Sequence, residues 1–102
     1  MVGAEEFELM SKMVSKGRTF TFALEGSEDL RYLQYWKAEG NCGGPGCLHI
    51  LLPENPSKEA IWEEFLHGTQ SRLGIIDRLG TDGAEMHVKN FMSRHKRLLH
   101  LE

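Results

Sequence analysis

Apolar side chains recur along this chain with two periods, and the changes of period mark off helices and strands. Across residues 4 to 16, Phe7, Leu9, Met10, Met13 and Val14 keep close to the helical repeat, and Lys16-Gly17 reads as a stop. From Arg18 to Leu24, polar and apolar residues alternate with β-favouring side chains, the pattern of a strand. Glu25 to Glu28 form a turn around Gly26. Residues 29 to 38 carry Leu30, Tyr32, Leu33, Tyr35 and Trp36, which suit a short helix or a strand, and the aromatic content favours the strand.

Cys47 to Leu52 is a short apolar run bounded by Gly46 and Pro53, as expected of a buried strand. The Pro53–Ser57 segment ends it and opens a helix, with either Asn55 before Pro56 or Ser57 one step later as the cap. That helix is expected over residues 57 to 73, stopping at Gly74. Ile75-Ile76 and the polar Gly80–Gly83 stretch read as its connection to a last helix over residues 84 to 99. The order is helix, two or three strands, helix, helix, without internal repeats. This predicts one α+β domain over residues 1–102 with a small sheet.

At about 100° per residue, Trp62, Phe65, Leu66, Thr69 and Leu73 fall together as the expected buried face of the 57–73 helix. They are expected to pack on a sheet containing Leu48, Ile50 and Leu52, with His49 and Leu51 on its other face. In the last helix the core face is read as Ala84, Val88, Phe91, Met92, Leu98 and Leu99, with His95 near its centre.

Composition adds boundaries. The 102 residues, 40% hydrophobic and 26% charged, are ordinary for a folded domain. A formal charge of −3 gives no footprint for nucleic acid, and no nucleic-acid partner is expected. Lys89, Arg94, Lys96 and Arg97 crowd together and read as a solvated helix face. No run approaches the roughly 18 to 20 apolar residues of a membrane span, so no membrane partner is expected. No charged leader followed by an apolar run is visible, so any export signal is expected on a larger parent chain. Met1-Val2 and Leu101-Glu102 read as an added start and a vector remnant and carry no structural expectation.

Cys42 and Cys47 flank Gly43-Gly44-Pro45-Gly46. Such a pair can close a tight disulfide, supply half a zinc site beside His49, or remain two free thiols in a flexible glycine loop. The free thiols are the preferred expectation. In any case the pair is not expected to form the principal metal site, because the loop offers no rigid second pair of ligands.

The residues most suited to chemistry lie on the 57–73 helix. Glu63, His67 and Gln70 share a stripe within about 60° of one another, and Glu64 lies roughly 60° further round, beside His67. A Glu–His pair one turn apart can clamp a divalent metal, and a second carboxylate next to it can serve as a proton acceptor. This is the geometry of H-E-x-x-H with glutamate in place of the first histidine. The plainer reading is a polar, exposed helix face, which two adjacent glutamates and one histidine also make. On the last helix Glu85 and His87 flank the core face about 160° apart, so a single metal can use one more easily than both.

The stretch from Asn55 to Gln70, with Glu63-Glu64-Phe65-Leu66-His67 and Gln70 at its heart and Arg72, Gly74 and Glu85 beyond, resembles a known family. It is similar to the zincin-like metallopeptidase toxin domains at the C-termini of bacterial polymorphic toxins, which share a fragment of the form E-E-[FL]-[IL]-H-x-x-Q. The resemblance spans about two-thirds of the chain, and its specific part is the central fragment. It implies a minimal zincin-like fold, with Glu63 and His67 as zinc ligands, Glu64 as the catalytic general base and Glu85 as the third ligand. His87 is the alternative ligand, and Gln70 supports the site. It further implies a protein substrate in the cytoplasm of a target cell, delivery as part of a larger secreted toxin and a cognate immunity protein. Glu63 stands where the usual motif has a histidine, which makes the donor set harder and more anionic. Two other readings compete: a non-catalytic protein-interaction module, and a metal-dependent nuclease toxin using the same carboxylate–histidine chemistry.

Overall fold

A computed structural model describes residues 2–101; Met1 and Glu102, from the expected added start and vector remnant, lie outside the described residues. The elements run α1 (Ala4–Val14), β1 (Thr19–Ala23), α2 (Glu28–Tyr35), β2 (Asn41–Gly43), a single 3-10 turn (Pro45–Cys47), β3 (His49–Pro53), α3 (Lys58–Arg72) and α4 (Ile75–Arg94). The chain is an α+β domain with a three-stranded sheet in the order β1-β3-β2.

β3 is central. It pairs parallel with β1, Phe20 opposite Ile50 and Phe22 opposite Leu52, and antiparallel with β2, Cys42 opposite Ile50. The parallel pair requires a crossover, and α2 is in that connection. Alternation along β3 follows the expected register: Ile50 and Leu52 are fully buried while His49 faces out, where its ring nitrogens meet the Thr19 and Thr21 hydroxyls at 2.7 and 2.8 Å. The core lies between this sheet, α1 and α3, built from Met10, Met13, Ile50, Leu52, Ala60 and Ile61, with Phe20, Phe22, Trp62 and Phe65 packed at its edge.

Several elements differ from expectation, each for a local reason. Residues 29 to 38 are not a strand. Ser27 Oγ accepts the Leu30 amide at 3.1 Å, Glu28 and Asp29 occupy the first turn, and a capped helix buries Leu33 alone among its side chains. The preference for a strand followed the aromatic residues, yet Tyr35 and Trp36 are exposed and contribute nothing to a sheet. The apolar run expected at 47–52 pairs only from His49, because the preceding residues form the 3-10 turn. The cysteines are not free thiols: Cys42 and Cys47 form a disulfide that ties the edge strand β2 to that turn.

α3 begins where the sequence placed it, with Ser57 Oγ accepting the Ala60 amide at 3.1 Å, and it ends at Gly74 in the left-handed region (φ 74°). Its buried face is not the one expected. Ala60, Ile61, Glu64 and Gly68 turn inward, spanning about 100° of the helix, while Trp62 and Phe65 are half-buried and Leu73 is 62% exposed. Small residues are the cause. A Cβ on Gly68 would sit 3.0 Å from the Cys47 carbonyl oxygen, so the helix approaches the 3-10 turn as closely as glycine allows. Arg18, buried at the start of β1, locks the approach: its guanidinium lies 4.2 Å over the Phe65 ring and donates to Thr69 Oγ1 at 3.1 Å and the Phe65 carbonyl at 3.3 Å.

Residues 75 to 83 are helical rather than a loop. α4 starts at Ile75 and is interrupted at Gly80, where φ 74° and ψ 173° break the ladder and redirect the second segment. That segment ends at Arg94, short of the expected residue 99. Ala84 and Val88 are buried as expected, Phe91 and Met92 are half-buried, and Leu98 is exposed.

Candidate metal centre

The rotation of α3 sets its polar stripe against α4 and beside the edge of the sheet. The break at Gly80 carries the second segment of α4 back along α3, and Glu85 arrives opposite His67. The ligating atoms of Glu63, His67 and Glu85 all lie within 4.8 Å of one another, so these three residues could hold a metal ion. They come from two helices, and the residues between them in sequence form the turn at Gly74 and the break at Gly80.

His67 is held from both sides. Its Nε2 lies 3.0 Å from Glu85 Oε2, and its Nδ1 lies 2.8 Å from Gln70 Oε1. Gln70 is itself buried, and its Nε2 donates to the Ala84 carbonyl at 3.0 Å and to His87 Nδ1 at 2.7 Å. A backbone carbonyl can only accept, so the amide nitrogen of Gln70 faces Ala84 and its oxygen faces His67. The His67 Nδ1 must then donate to Gln70, which leaves Nε2 as the nitrogen that meets Glu85 or a metal ion. Gln70 thereby supports the ring in a ligand's tautomer.

His87 stands apart from the Glu63–His67–Glu85 group. It is exposed, and its Nδ1 is taken up by Gln70. Of the two candidates for the third position on α4, the fold brings Glu85 to the group. Cys42 and Cys47 are spent in their disulfide and offer no thiolate.

Glu64 faces the other way round the helix, towards the sheet edge. Its residue is 8% exposed, and its Oε2 has no hydrogen-bond partner. Gly40, just before β2, closes over it: a Cβ there would lie 3.1 Å from both Glu64 Cγ and Leu52 Cδ2. Residues 37–40 thus form one wall of a groove of about 480 Å³ whose other wall is Ala60, Glu63, Glu64, Glu85 and Lys89. A groove of about 520 Å³ between α1, α3 and residues 98–100 is lined by Leu9, Met13, Trp62 and Phe65 and includes none of the three ligating residues.

The electrostatics follow from crowding three carboxylates into a half-dry space. Burial pushes the Glu64 carboxyl up to about 7, with the charges of Glu63 and Glu85 adding to the effect and His67 opposing it. Burial also raises Glu63 to about 7, helped by its hydrogen bond to Glu85 and by that neighbour's charge. The same hydrogen bond holds Glu85 below the usual carboxylate range, with His67 and Lys89 acting in the same sense. Glu63 therefore keeps a proton that Glu85 has given up. A divalent cation would displace that proton and relieve the repulsion, since a nearby positive charge favours the ionised forms.

Sequence reasoning found Glu63, Glu64, His67, Gln70 and Glu85 but missed two parts of the site. The 37–40 wall carries no motif. Lys89 was grouped with Arg94, Lys96 and Arg97, yet its Nζ lies 3.6 Å from Glu85 Oε1; the four-residue spacing from Glu85 was the available signal. Comparison with family models, curated proteins and solved structures finds no match to this chain.

Proposed function

We propose that this domain is a zinc-dependent metallopeptidase, a zincin-like toxin domain that hydrolyses a peptide bond in a target-cell protein. The observation that carries the reading is the pairing of two features: the Glu63–His67–Glu85 donor group, two of whose carboxylates line the groove, and the buried Glu64 on the same groove, whose Oε2 has no partner. Two carboxylates and one imidazole suit a divalent ion of zinc's class, and the fixed tautomer of His67 suits it as well. A zinc ion bound there supplies Lewis acidity, which brings the acidity of water towards neutrality.

Glu64 then acts as the proton carrier. With its carboxyl pushed up to about 7, it is poised both to take a proton from the attacking water and to give one back. The water oxygen bonds to the peptide carbonyl carbon, the carbon–nitrogen bond breaks, and the proton taken by Glu64 passes to the departing amine. Glu63, His67 and Glu85 hold the ion, and Gln70 holds His67. In this reading the protein substrate lies in the groove between residues 37–40 and Glu63, Glu64 and Glu85. Delivery within a larger toxin and neutralisation by an immunity protein belong to the same proposal.

The test is elemental mass spectrometry of the purified domain together with hydrolysis of an unfolded protein substrate. We expect one zinc per chain, retained in Glu64→Gln and lost in His67→Ala. Activity should fall roughly 10²- to 10⁴-fold in Glu64→Gln, the usual worth of a general base. A domain that binds no zinc when it is supplied, or a Glu64→Gln variant as active as the parent, ends the reading.

A further inference from the structure

Two cations line the groove among the described residues, Lys37 and Lys89. Only Lys89 is engaged with the donor group. Its Nζ lies 3.6 Å from Glu85 Oε1, while the other oxygen of the same carboxylate meets His67 Nε2 at 3.0 Å. Its charge acts on Glu63 as well as on Glu85. Three carboxyl groups, Glu63, Glu64 and Glu85, stand together on this groove, and Lys89 is the cation in contact with them. Its side chain is largely exposed, so it can leave Glu85 without disturbing the packing of α4.

We propose that Lys89 is the electrophilic residue of this centre: its ammonium holds Glu85 until a divalent ion claims that carboxylate, and then donates to the substrate carbonyl oxygen. The assignment rests on the peptidase reading. As the water oxygen bonds to the carbonyl carbon, the π electron pair moves onto the carbonyl oxygen, and Lys89 N–H stabilises that charge without transferring its proton. The pair returns when the carbon–nitrogen bond breaks. An ammonium beside the developing charge stabilises it more than it stabilises the uncharged carbonyl of the ground state.

The experiment compares the parent with Lys89→Met and Lys89→Arg. Zinc affinity is read by competition with a chromogenic chelator, and kcat and KM are read on a quenched fluorescent protein substrate. Lys89→Met should bind zinc a few-fold more tightly, because a cation competing for Glu85 is gone, while Lys89→Arg should resemble the parent. Its kcat should fall roughly 10²-fold with KM little changed, and Lys89→Arg should recover part of the loss. A zinc-loaded Lys89→Met with the parent's kcat overturns the proposal and leaves the peptidase reading standing. Weaker zinc binding in Lys89→Met overturns it too, since the residue would then support the ligands rather than compete with the ion. A zinc-loaded parent that hydrolyses nothing overturns the peptidase reading and the electrophilic role together. The affinity comparison then still tests the counter-charge, and equal affinities in all three proteins overturn that as well.

Discussion

On the side of α3 that meets the sheet and α1, the buried apolar cluster is Met10, Met13, Ile50, Leu52, Ala60 and Ile61. On the side that meets α4 the buried side chains are Gln70, Ala84 and Val88, one of them polar and one very small, with Glu64 buried between the two sides at the sheet edge. The first interior is stabilised by removing apolar surface from water, at about 1.5–3 kcal/mol for each large side chain. The second buries little apolar surface and spends some of the gain on desolvating carboxylates. Its order comes from directed contacts, the chain of His67, Gln70, His87 and the Ala84 carbonyl. One helix thus packs an apolar face on one side and a hydrogen-bonded polar face on the other.

That division can be broken experimentally. The largest expected effect is on the apolar side. Ile61→Ala removes a fully buried side chain and should cost about 2–5 kcal/mol of unfolding free energy by denaturant titration. Zinc affinity of the folded fraction should stay at the parent's value. A large change in zinc affinity would show that the two halves are not separable.

Gln70→Leu probes the opposite side. It removes the acceptor that fixes the His67 tautomer, and zinc affinity should fall roughly 10- to 100-fold in a chelator competition. Unchanged affinity would reduce Gln70 to a packing residue.

The smallest effect sharpens the comparison through pH. Glu63 and Glu64 rise from 4.5 to about 7 on folding, so between those values the folded chain holds protons that the unfolded chain has released. Their contribution is complete below 4.5 and is lost as pH rises through about 7. Glu85, shifted down from 4.5, works in the opposite direction, but its window lies below 4.5 and leaves this one essentially unchanged. With the half-exposed Glu63 discounted for screening, the zinc-free domain should lose on the order of 1–2 kcal/mol between about pH 5 and pH 8. Added zinc should restore most at the higher pH, because it replaces the protons. Thermal melts with and without zinc at the two pH values check this, and a zinc-free domain that gains stability towards pH 8 would contradict it.

Local pattern made a good part of the molecule legible in advance. The Ser57 cap, the alternation of Ile50 and Leu52 against His49, and the shared stripe of Glu63, His67 and Gln70 all follow from spacings of two to seven residues within a single element. α2 was legible too, in Ser27 followed by Glu28 and Asp29, but the aromatic residues after it drew the reading towards a strand. What spacing does not determine is which stripe of a helix turns inward. On α3 the larger apolar residues pointed to Trp62, Phe65 and Leu73, whereas the fold buried Ala60, Glu64 and Gly68. That choice belongs to the surfaces opposite, to Gly40 over Glu64 and the Cys47 carbonyl against Gly68, where only small side chains allow the backbones to come together. The convergence of Glu85 on His67 and the Cys42–Cys47 disulfide depend on the same thing. Each joins residues whose separation in space is set by packing between elements, and no periodicity along one element encodes it.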